Sequence, residues 1–508
     1  MINIKESLKI NKYLIFIFVV AVFATYCNSL GNSFVSDDIP IILGNPNLAN
    51  FSYIFNNLAT IISSLTYFII VSLFGKNPTF FRLFNILFHA GNVILIYFLV
   101  KKLHNKKIAV LTSLIFATHP ILSESVAWIS GGPYPRYSFF FLLSFLLYIY
   151  KNKHNNFYTF SIISFFLSLQ SNDKAVPLLA IFVLYEMLFG KLKENWKKVI
   201  PYFLMSVLYL LYFTVFSGLF TARVTDLNLG AGQEPGRDNP LIQIPTAITE
   251  YLKLIFWPQG LTLYHSELSL SSNQFALRVI AFLAFCALGV WGFVKNRKIF
   301  FWMGWFVISL AVTLTPFRIS WIVAERYVYL GSIGVIVIFS MFVNWVLGRY
   351  KLQGLYWSLL ILIVFPLSIR TIIRNADWKS HDTLWLATAK YSPNSPQNHN
   401  NLGDYYGRMG NQETAIIEFK KAIELKPNYA DAYHNLANTY QQLERFDEAV
   451  ENYQKAIEFN PGLWQSYQNL GVIYYHQKNF DEALKYFKES LKINPNNDNL
   501  QKLVDVIR

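Results

Sequence analysis

The chain has 508 residues, of which 54% are hydrophobic, 17% aromatic and only 15% charged. Soluble proteins carry about 25% charged residues, so this composition excludes an ordinary soluble domain and indicates a polytopic membrane protein. The net charge of +14 is uneven: residues 1–374 hold 30 basic and 13 acidic groups, whereas residues 375–508 hold 14 and 17. This asymmetry predicts two domains, 1–374 and 375–508.

Apolar runs predict about eleven membrane-spanning helices in the first domain. They cover residues 13–30, 83–100, 108–129, 137–150, 157–169, 175–189, 199–216, 277–294, 299–314, 327–347 and 355–373. Two further runs, 58–74 and 242–257, are predicted as re-entrant or interfacial helices. The fold class predicted for this domain is therefore an all-α transmembrane helix bundle.

The cationic loops predict the orientation of the bundle. Lysine and arginine are concentrated in the loops 101–107, 151–154, 191–198, 295–298 and 348–351. The positive-inside rule places these loops in the cytoplasm together with the N-terminus. Everything after residue 373 is then extracytoplasmic. The basic excess is explained as the loop charge of a protein in a lipid bilayer, and no nucleic-acid partner is predicted.

The second domain is predicted to be a tetratricopeptide-repeat α-solenoid. Three segments near 398–431, 432–465 and 466–499 align without gaps, and a partial repeat precedes them. Each segment is 34 residues long, and a proline closes its second helix. Arrays of this kind bind peptides, so a protein or peptide partner is predicted. Asn401, Asn435 and Asn469 recur in register, which indicates either contacts with a docked acceptor peptide or ordinary repeat consensus.

With this orientation, the predicted outer side of the membrane collects most of the ionisable groups that lie near membrane level. They are Asp37, Asp38, His119, Glu124, Arg136, Asp173, Lys174, Glu325 and Arg326. Such groups are costly near lipid and are usually functional or paired.

Each outer motif also has a structural interpretation. The stretch "SDDIPIILGNPNL" is compatible with a solvated turn, and His119 with a helix cap in a Pro/Gly-rich loop. In "AERYVYL", Glu325 and Arg326 are compatible with a local pair that supports an interfacial tyrosine belt including Tyr329.

Taken together, the motifs resemble one family in order and spacing. They are "SDDIPIILGNPNL", "RLFNILFHAGNVILIYFLV", "ATHPILSESVAWISG", "KAVPLLAIFVLYE", "YLKLIFWPQGLTLYH" and "AERYVYLGSIG", followed by the repeat array. The chain resembles the transmembrane-and-tetratricopeptide-repeat O-mannosyltransferases, which are GT-C glycosyltransferases related to the protein O-mannosyltransferases. The form with three full repeats is similar to a bacterial homologue. We therefore expect the bacterial inner membrane rather than the endoplasmic reticulum membrane.

The resemblance implies transfer of a sugar, with inversion, from a polyprenyl-phosphate-linked donor to a hydroxyl on the non-cytoplasmic face. By position, Asp37 or Asp38 matches the first-loop acid of the family, Glu124 the second-loop acid and Arg326 the last-loop base. These three acids are the candidate catalytic residues.

The leaving phosphate requires cations, and the sequence offers Arg326, Lys174 and Arg136. Arg136 stands displaced from the Gly-Arg pair of the family. His119, Glu325 and Tyr329 are further site candidates. The acids leave a divalent cation (Mg or Mn) open, but they have no spacing that establishes a metal site.

Three functions remain open at this stage. The first is sugar transfer to a protein recruited by the repeats. The second is sugar transfer to a lipid or an envelope glycan. The third is a non-catalytic, membrane-anchored tetratricopeptide scaffold for export or envelope assembly.

Overall fold

The computed structural model describes residues 4–56, 58–216, 239–263, 265, 271–314 and 322–507. Within these ranges the chain forms α-, 3-10 and π-helical segments and no β-strand. The all-α fold class is therefore confirmed. The chain divides into two compact units between residues 384 and 385.

The first unit is a bundle of helices of very different lengths. Its described α-helices are α1 (Ile4–Tyr26), α2 (Ile61–Phe74), α3 (Pro78–Leu103), α4 (Lys106–Thr118), α5 (Ser123–Ala127), α6 (Pro133–Ile149), α7 (Asn155–Leu169), α8 (Leu179–Leu188), α9 (Leu192–Leu211), α10 (Pro240–Phe256), α11 (Ser272–Lys295), α12 (Arg297–Leu310), α13 (Ser332–Arg349) and α14 (Tyr356–Asp377). Helix α3 is 56% buried and lies inside the bundle, whereas α11 is only 6% buried and lies at its periphery.

Several of these helices are long and apolar enough to cross a membrane. By length and composition, the described residues offer six spans: 12–29, 78–103, 192–215, 272–295, 332–349 and 353–377. A seventh is added if α4 and residues 120–127 form one broken span. The chain is thus a membrane protein, while the eleven-span count and the orientation stay predictions.

The run 108–129, predicted as one span, is broken after Thr118. Helix α4 ends there, and residues 120–127 leave its axis at 54°. Pro120 causes the break, because proline disfavours a helical conformation in the residue before it. His119 accordingly takes an extended conformation, with φ −78° and ψ 127°. The break puts Glu124 on a separate short helix, α5.

The second unit contains the helix pairs of the predicted repeats. After α15 (His381–Tyr391), which crosses the division, its helices are α16 (Pro396–Arg408), α17 (Gln412–Leu425), α18 (Ala430–Gln442), α19 (Phe446–Phe459), α20 (Trp464–His476), α21 (Phe480–Ile493) and α22 (Asp498–Ile507). Ala415, Ala449 and Ala483, which are 34 residues apart, are fully buried where the helices pack. The tetratricopeptide array is confirmed.

Candidate active site

The adjacent acids Asp37 and Asp38, in the loop after α1 that is predicted to be the first outer loop, occupy different environments. Asp38 is fully buried. One of its carboxylate oxygens accepts from the Ser130 amide at 2.8 Å and from the Ser130 hydroxyl at 2.6 Å, and the other accepts from the Val35 amide at 3.2 Å. Burial raises the pKa of Asp38 to about 6, although the bonds to Ser130 and Val35 oppose this rise. Asp38 therefore ties the first outer loop to the second.

Asp37, in contrast, has an exposed side chain. The surrounding protein removes water from the Asp37 carboxyl, and this desolvation raises its pKa above the usual value. The charge of Arg326 and a bond to Ser36 oppose the rise. Ser36 has a φ of 50°, in the left-handed region, so the chain turns sharply just before the acid pair. Of the two carboxylates, only that of Asp37 is exposed and open to a substrate.

Glu124 and Arg326 join the second outer loop to the last one. Glu124 is fully buried. One of its carboxylate oxygens accepts from the Arg326 backbone amide at 2.8 Å, and the other forms an ion pair with the Arg326 guanidinium. Both oxygens are thus engaged by the same residue. This arrangement fixes the position of the guanidinium and leaves Glu124 poorly placed to act as a base.

Aromatic rings hold two of the predicted phosphate-binding cations close together. The Arg326 guanidinium lies 5.5 Å from the centre of the Trp128 ring and 5.0 Å from that of Tyr327. The Lys174 ammonium lies 5.5 Å from the same Tyr327 ring and 5.9 Å from that of Tyr134. Tyr327 is therefore shared by both cations. Each cation also has an acidic partner, since Arg326 pairs with Glu124 and Lys174 pairs with Asp173 at 3.3 Å.

Arg136 lies in a different setting. It is buried and donates to the Ser63 hydroxyl at 2.8 Å. Its guanidinium lies 5.8 Å from the centre of the Tyr67 ring and 5.9 Å from that of Phe88. These contacts attach α6 to α2 and α3, and they do not include the rings that hold Arg326 and Lys174.

The remaining site candidates make structural contacts. The ring of His119 bonds to the Ile255 carbonyl at 2.8 Å and accepts from the Ile121 amide at 3.2 Å, so both nitrogens are used at the helix break. The Tyr329 hydroxyl lies 2.7 Å from His89 and 3.0 Å from Asn92 in the core.

Glu325 also makes a structural contact. It is fully buried and pairs with Arg374 at 3.1 Å. The pair attaches the last outer loop to the end of α14.

Sequence reasoning missed the residues that hold the outer loops in place. Ser130, which binds Asp38, carried no signal because a serine in a loop is unremarkable. Arg82 and Arg374 did carry one, since each is an ionisable residue that directly adjoins a predicted apolar run, 83–100 or 355–373. Arg82 donates to the Ala127 carbonyl at 2.8 Å and also to the carbonyls of Asn32 and Ser33.

The divalent cation left open by the sequence gains no ligand set from the described ranges. They contain no group of three or more His, Cys, Asp or Glu residues that could hold a metal ion. We therefore derive no chemical step through a metal.

The register asparagines of the array bond between repeats. The Asn435 amide donates to Asn400 at 3.0 Å, and the Asn469 amide donates to Asn438 at 2.8 Å. These donors are used within the array, as the consensus interpretation expects. Asn401 occupies the equivalent position on α16. Contacts of these residues with an acceptor peptide stay a prediction.

His399 is predicted to make the first repeat sensitive to pH. Its Nδ1 lies 2.6 Å from the Glu418 carboxylate and its Nε2 2.7 Å from the Pro393 carbonyl, so the charged ring donates to both. Burial lowers its pKa, but the bonds to Glu418 and Pro393 outweigh burial and the pKa is raised. The stabilisation is complete below about pH 6.5 and is lost as pH rises through the raised pKa. This stabilisation is measured by hydrogen exchange of the α16 amides, corrected for their intrinsic exchange rates.

His434 provides the matched control. Its Nδ1 lies 2.8 Å from the Ser466 hydroxyl, and burial lowers its pKa to about 4. His434→Gln should leave the pH dependence of α16 protection above pH 5 unchanged, whereas His399→Gln should abolish it. Equal pH profiles for His399→Gln and the wild type would contradict the assignment.

Comparison with known proteins shows that both units of the chain are similar to parts of the same class of proteins. A family model described as dolichyl-phosphate-mannose-protein mannosyltransferase matches residues 60–217. Tetratricopeptide models match residues 406–444, 430–463 and 464–497. The fold and these matches define the class: a polytopic membrane protein whose first unit is similar to mannosyltransferases and whose second unit is a tetratricopeptide array.

Within that class, the resemblance to the transmembrane-and-tetratricopeptide-repeat O-mannosyltransferases is confirmed. The chain is 26% identical to human protein O-mannosyl-transferase TMTC3 over 483 residues, which cover 84% of this chain and 52% of that protein. It is 25% identical to human TMTC4 over 402 residues, or 67% of this chain and 54% of that protein. The chain thus spans about half the length of these curated relatives.

Among solved structures, the chain is similar to one titled "Crystal structure of MamA protein". The two are 30% identical with a TM-score of 0.21, and the match covers 23% of this chain and 66% of the other.

Proposed function

We propose that the chain is a membrane glycosyltransferase that moves a sugar from a polyprenyl-phosphate donor to a protein hydroxyl on the non-cytoplasmic face. Mannose is the sugar suggested by the names of its relatives. The observation that carries the proposal is the meeting of three outer loops: an accessible acid, Asp37, lies within electrostatic reach of Arg326, which the buried Glu124 fixes in place.

The chemistry follows from these positions. Asp37 removes the proton from the acceptor hydroxyl, and the acceptor oxygen attacks the anomeric carbon of the sugar. The bond from that carbon to the phosphate oxygen breaks on the opposite face, so the configuration inverts. Polyprenyl phosphate leaves with one additional negative charge.

The protein stabilises this departing charge electrostatically. Arg326 and Lys174, held on the shared Tyr327 ring, face the phosphate that gains charge as the bond breaks. Because the phosphate departs as an anion, it needs little protonation, so no general acid is required. Glu124 keeps Arg326 in place, and Asp38 keeps the loop that carries Asp37 in place. The repeats supply a surface for the protein acceptor.

Sugar transfer in membranes tests this function. Membranes with and without the full chain would receive radiolabelled polyprenyl-phosphate mannose, and the label would be followed separately into protein, lipid and polysaccharide. Label that enters protein only in the presence of the chain is the expected result. Label in lipid or glycan would reassign the acceptor, and no chain-dependent transfer from mannose, glucose or N-acetylglucosamine donors would contradict the enzyme assignment.

A further inference from the structure

Two tryptophan rings and two arginines adjoin one another next to the candidate active site. The Trp128 and Trp378 rings are stacked, with their centres 5.5 Å apart and their planes inclined by 21°. The Arg326 guanidinium lies 5.5 Å from the centre of the Trp128 ring, and the Arg374 guanidinium lies 5.6 Å from that of Trp378. We call these four residues the ring column. Trp378 is thus separated from Arg326 by a single ring.

Ion pairs hold both arginines of the ring column at their charged ends. Arg326 pairs with Glu124, and Arg374 pairs with Glu325 at 3.1 Å. An ion pair fixes individual nitrogens of a guanidinium, whereas an aromatic ring face fixes the plane of the whole group. For Arg326, this second constraint includes the ring of Trp128. The orientation of Arg326 therefore depends on where the Trp128 ring is held.

Trp128 connects both halves of the candidate active site. Its Nε1 group donates to the Val35 carbonyl at 3.3 Å, two residues before Asp37 in the chain. Its ring lies against the guanidinium of Arg326. A displacement of Trp128 would therefore change the positions of the proposed base and of the proposed phosphate-binding cation together. The stacked ring of Trp378 is a contact that opposes such a displacement.

The segment that carries Trp378 is bonded to the loop after α1. Trp378 directly follows α14, is fully buried and belongs to the first unit. The Asn32 side chain donates to the Asn375 carbonyl at 3.0 Å, and the Ser33 amide donates to the Lys379 carbonyl at 2.9 Å. These bonds lie on both sides of Trp378 in the chain. They fix its backbone relative to the loop that contains the acid pair.

The indole N–H group does not explain why a tryptophan stands at position 378. The buried Nε1 of Trp378 has no hydrogen-bond partner among the described residues. A buried donor without an acceptor is unfavourable, and a phenylalanine would avoid this cost. Trp302 is equally buried, but its Nε1 donates to His104 at 2.8 Å. What Trp378 contributes is therefore the face of its ring rather than its N–H group.

We propose that Trp378 is a positioning residue, whose ring supports Trp128 and thereby holds the Arg326 guanidinium in the orientation that the donor phosphate requires. The purpose of that orientation rests on the proposed function, whereas the support itself is a property of the folded chain. Ordinary core packing is the alternative, in which Trp378 contributes to stability alone. The two explanations predict different results when Trp378 is replaced by a flat or by a non-planar side chain.

Chemical modification of arginine measures this support without a need for activity. The full chain in nanodiscs would be treated with phenylglyoxal, and the rate of modification of Arg326 would be measured by mass spectrometry relative to the exposed Arg349. Trp378→Leu removes the stacked ring and should raise the relative rate at Arg326 about three- to tenfold. Trp378→Phe keeps a flat ring and should stay within about twofold of the wild type. An unchanged rate in Trp378→Leu, or an equal rise in Trp378→Phe, would overturn the proposal.

Trp302→Leu is the matched control for the loss of a buried ring. Trp302 is as buried as Trp378, and its ring also packs against a second tryptophan, Trp305, with the ring centres 5.3 Å apart. The substitution removes the same volume and should leave the relative rate at Arg326 unchanged. An equal rise in Trp302→Leu would indicate general loosening of the bundle and would overturn the proposal. If Trp378→Leu does not fold, Trp378→Met provides a non-planar side chain that adapts to the same space.

The kinetics of sugar transfer distinguish failure of this inference from failure of the proposed function. Trp378→Leu should lower kcat about three- to tenfold with KM little changed, because Arg326 stabilises charge that develops as the donor bond breaks. Trp378→Phe should keep kcat near that of the wild type. Faster modification of Arg326 in Trp378→Leu, without any sugar transfer by the wild type, would refute the enzyme assignment and retain the support. Transfer by the wild type, with an unchanged Arg326 rate or an undiminished kcat in Trp378→Leu, would retain the enzyme and refute the positioning role.

Discussion

Asp37→Asn should reduce sugar transfer by a factor of about 10² to 10⁴ while the protein remains folded. The exposed Asp37 carboxylate supplies the base in the proposed reaction, whereas an amide cannot accept the proton of the acceptor hydroxyl. Since the pKa of Asp37 is raised, wild-type transfer should also fall as pH decreases through a range above that of an ordinary aspartate. Transfer at saturating donor, measured beside the thermal stability of each variant, checks both expectations.

Asp38→Asn is the matched control, because it removes the neighbouring charge from a buried position. An asparagine there turns an NH₂ group towards the Val35 or Ser130 amide, each of which now donates to Asp38. We expect a loss of about 1–3 kcal/mol in the free energy of unfolding, with transfer per folded molecule reduced far less than in Asp37→Asn. A folded but inactive Asp38→Asn beside an active Asp37→Asn would reverse the assignment. If Asp37→Asn and Asp38→Asn both transferred sugar at the wild-type rate, the acid pair would have no catalytic role and would only form a turn.

Glu124→Gln should destabilise the first unit by about 3–5 kcal/mol and abolish transfer. The substitution leaves the charge of Arg326, whose side chain is only 15% exposed, without its ion-pair partner. Denaturation in detergent, followed by tryptophan fluorescence, measures the loss of stability. Transfer at low temperature, where the variant is still folded, measures the loss of activity.

The double variant Glu124→Gln/Arg326→Gln separates the structural role of this pair from its functional role. Removing both charges should recover most of the lost stability, since no unpaired charge then remains buried. Transfer should stay absent, because the cation that faces the phosphate is missing. Recovery of transfer along with stability would mean that Arg326 serves only to pack the loops.

Most of the fold could be predicted from the sequence, because hydrophobic runs and a 34-residue repeat are local signals. They also placed Asp37, Glu124 and Arg326 on one predicted side of the membrane. They could not separate Asp37 from Asp38, since the difference depends on Ser130, which lies 92 residues further along the chain. The bend after Thr118 could have been predicted, because Pro120 lies within the predicted span 108–129.

The other site candidates show where charge and position are insufficient. His119, Glu325 and Tyr329 have the residue types of a reactive site and lie in matching motifs. Their hydrogen-bond partners Ile255, Arg374 and His89 are distant in sequence, so only the folded chain shows these bonds. In Glu325 they engage one carboxylate oxygen, Oε1, and the buried Oε2 has no hydrogen-bond partner among the described residues. The aromatic ring that Arg326 and Lys174 share is likewise a tertiary feature.

The polar ties between loops constrain how this protein can change during evolution. Asp38 is tied to Ser130, and Glu124 is tied to Arg326. A substitution at either member of a pair leaves its partner without that bond, so an exchange of both residues would pass through a destabilised single variant. Insertions between Asp38 and Arg326 are tolerated only where they leave both ties in register.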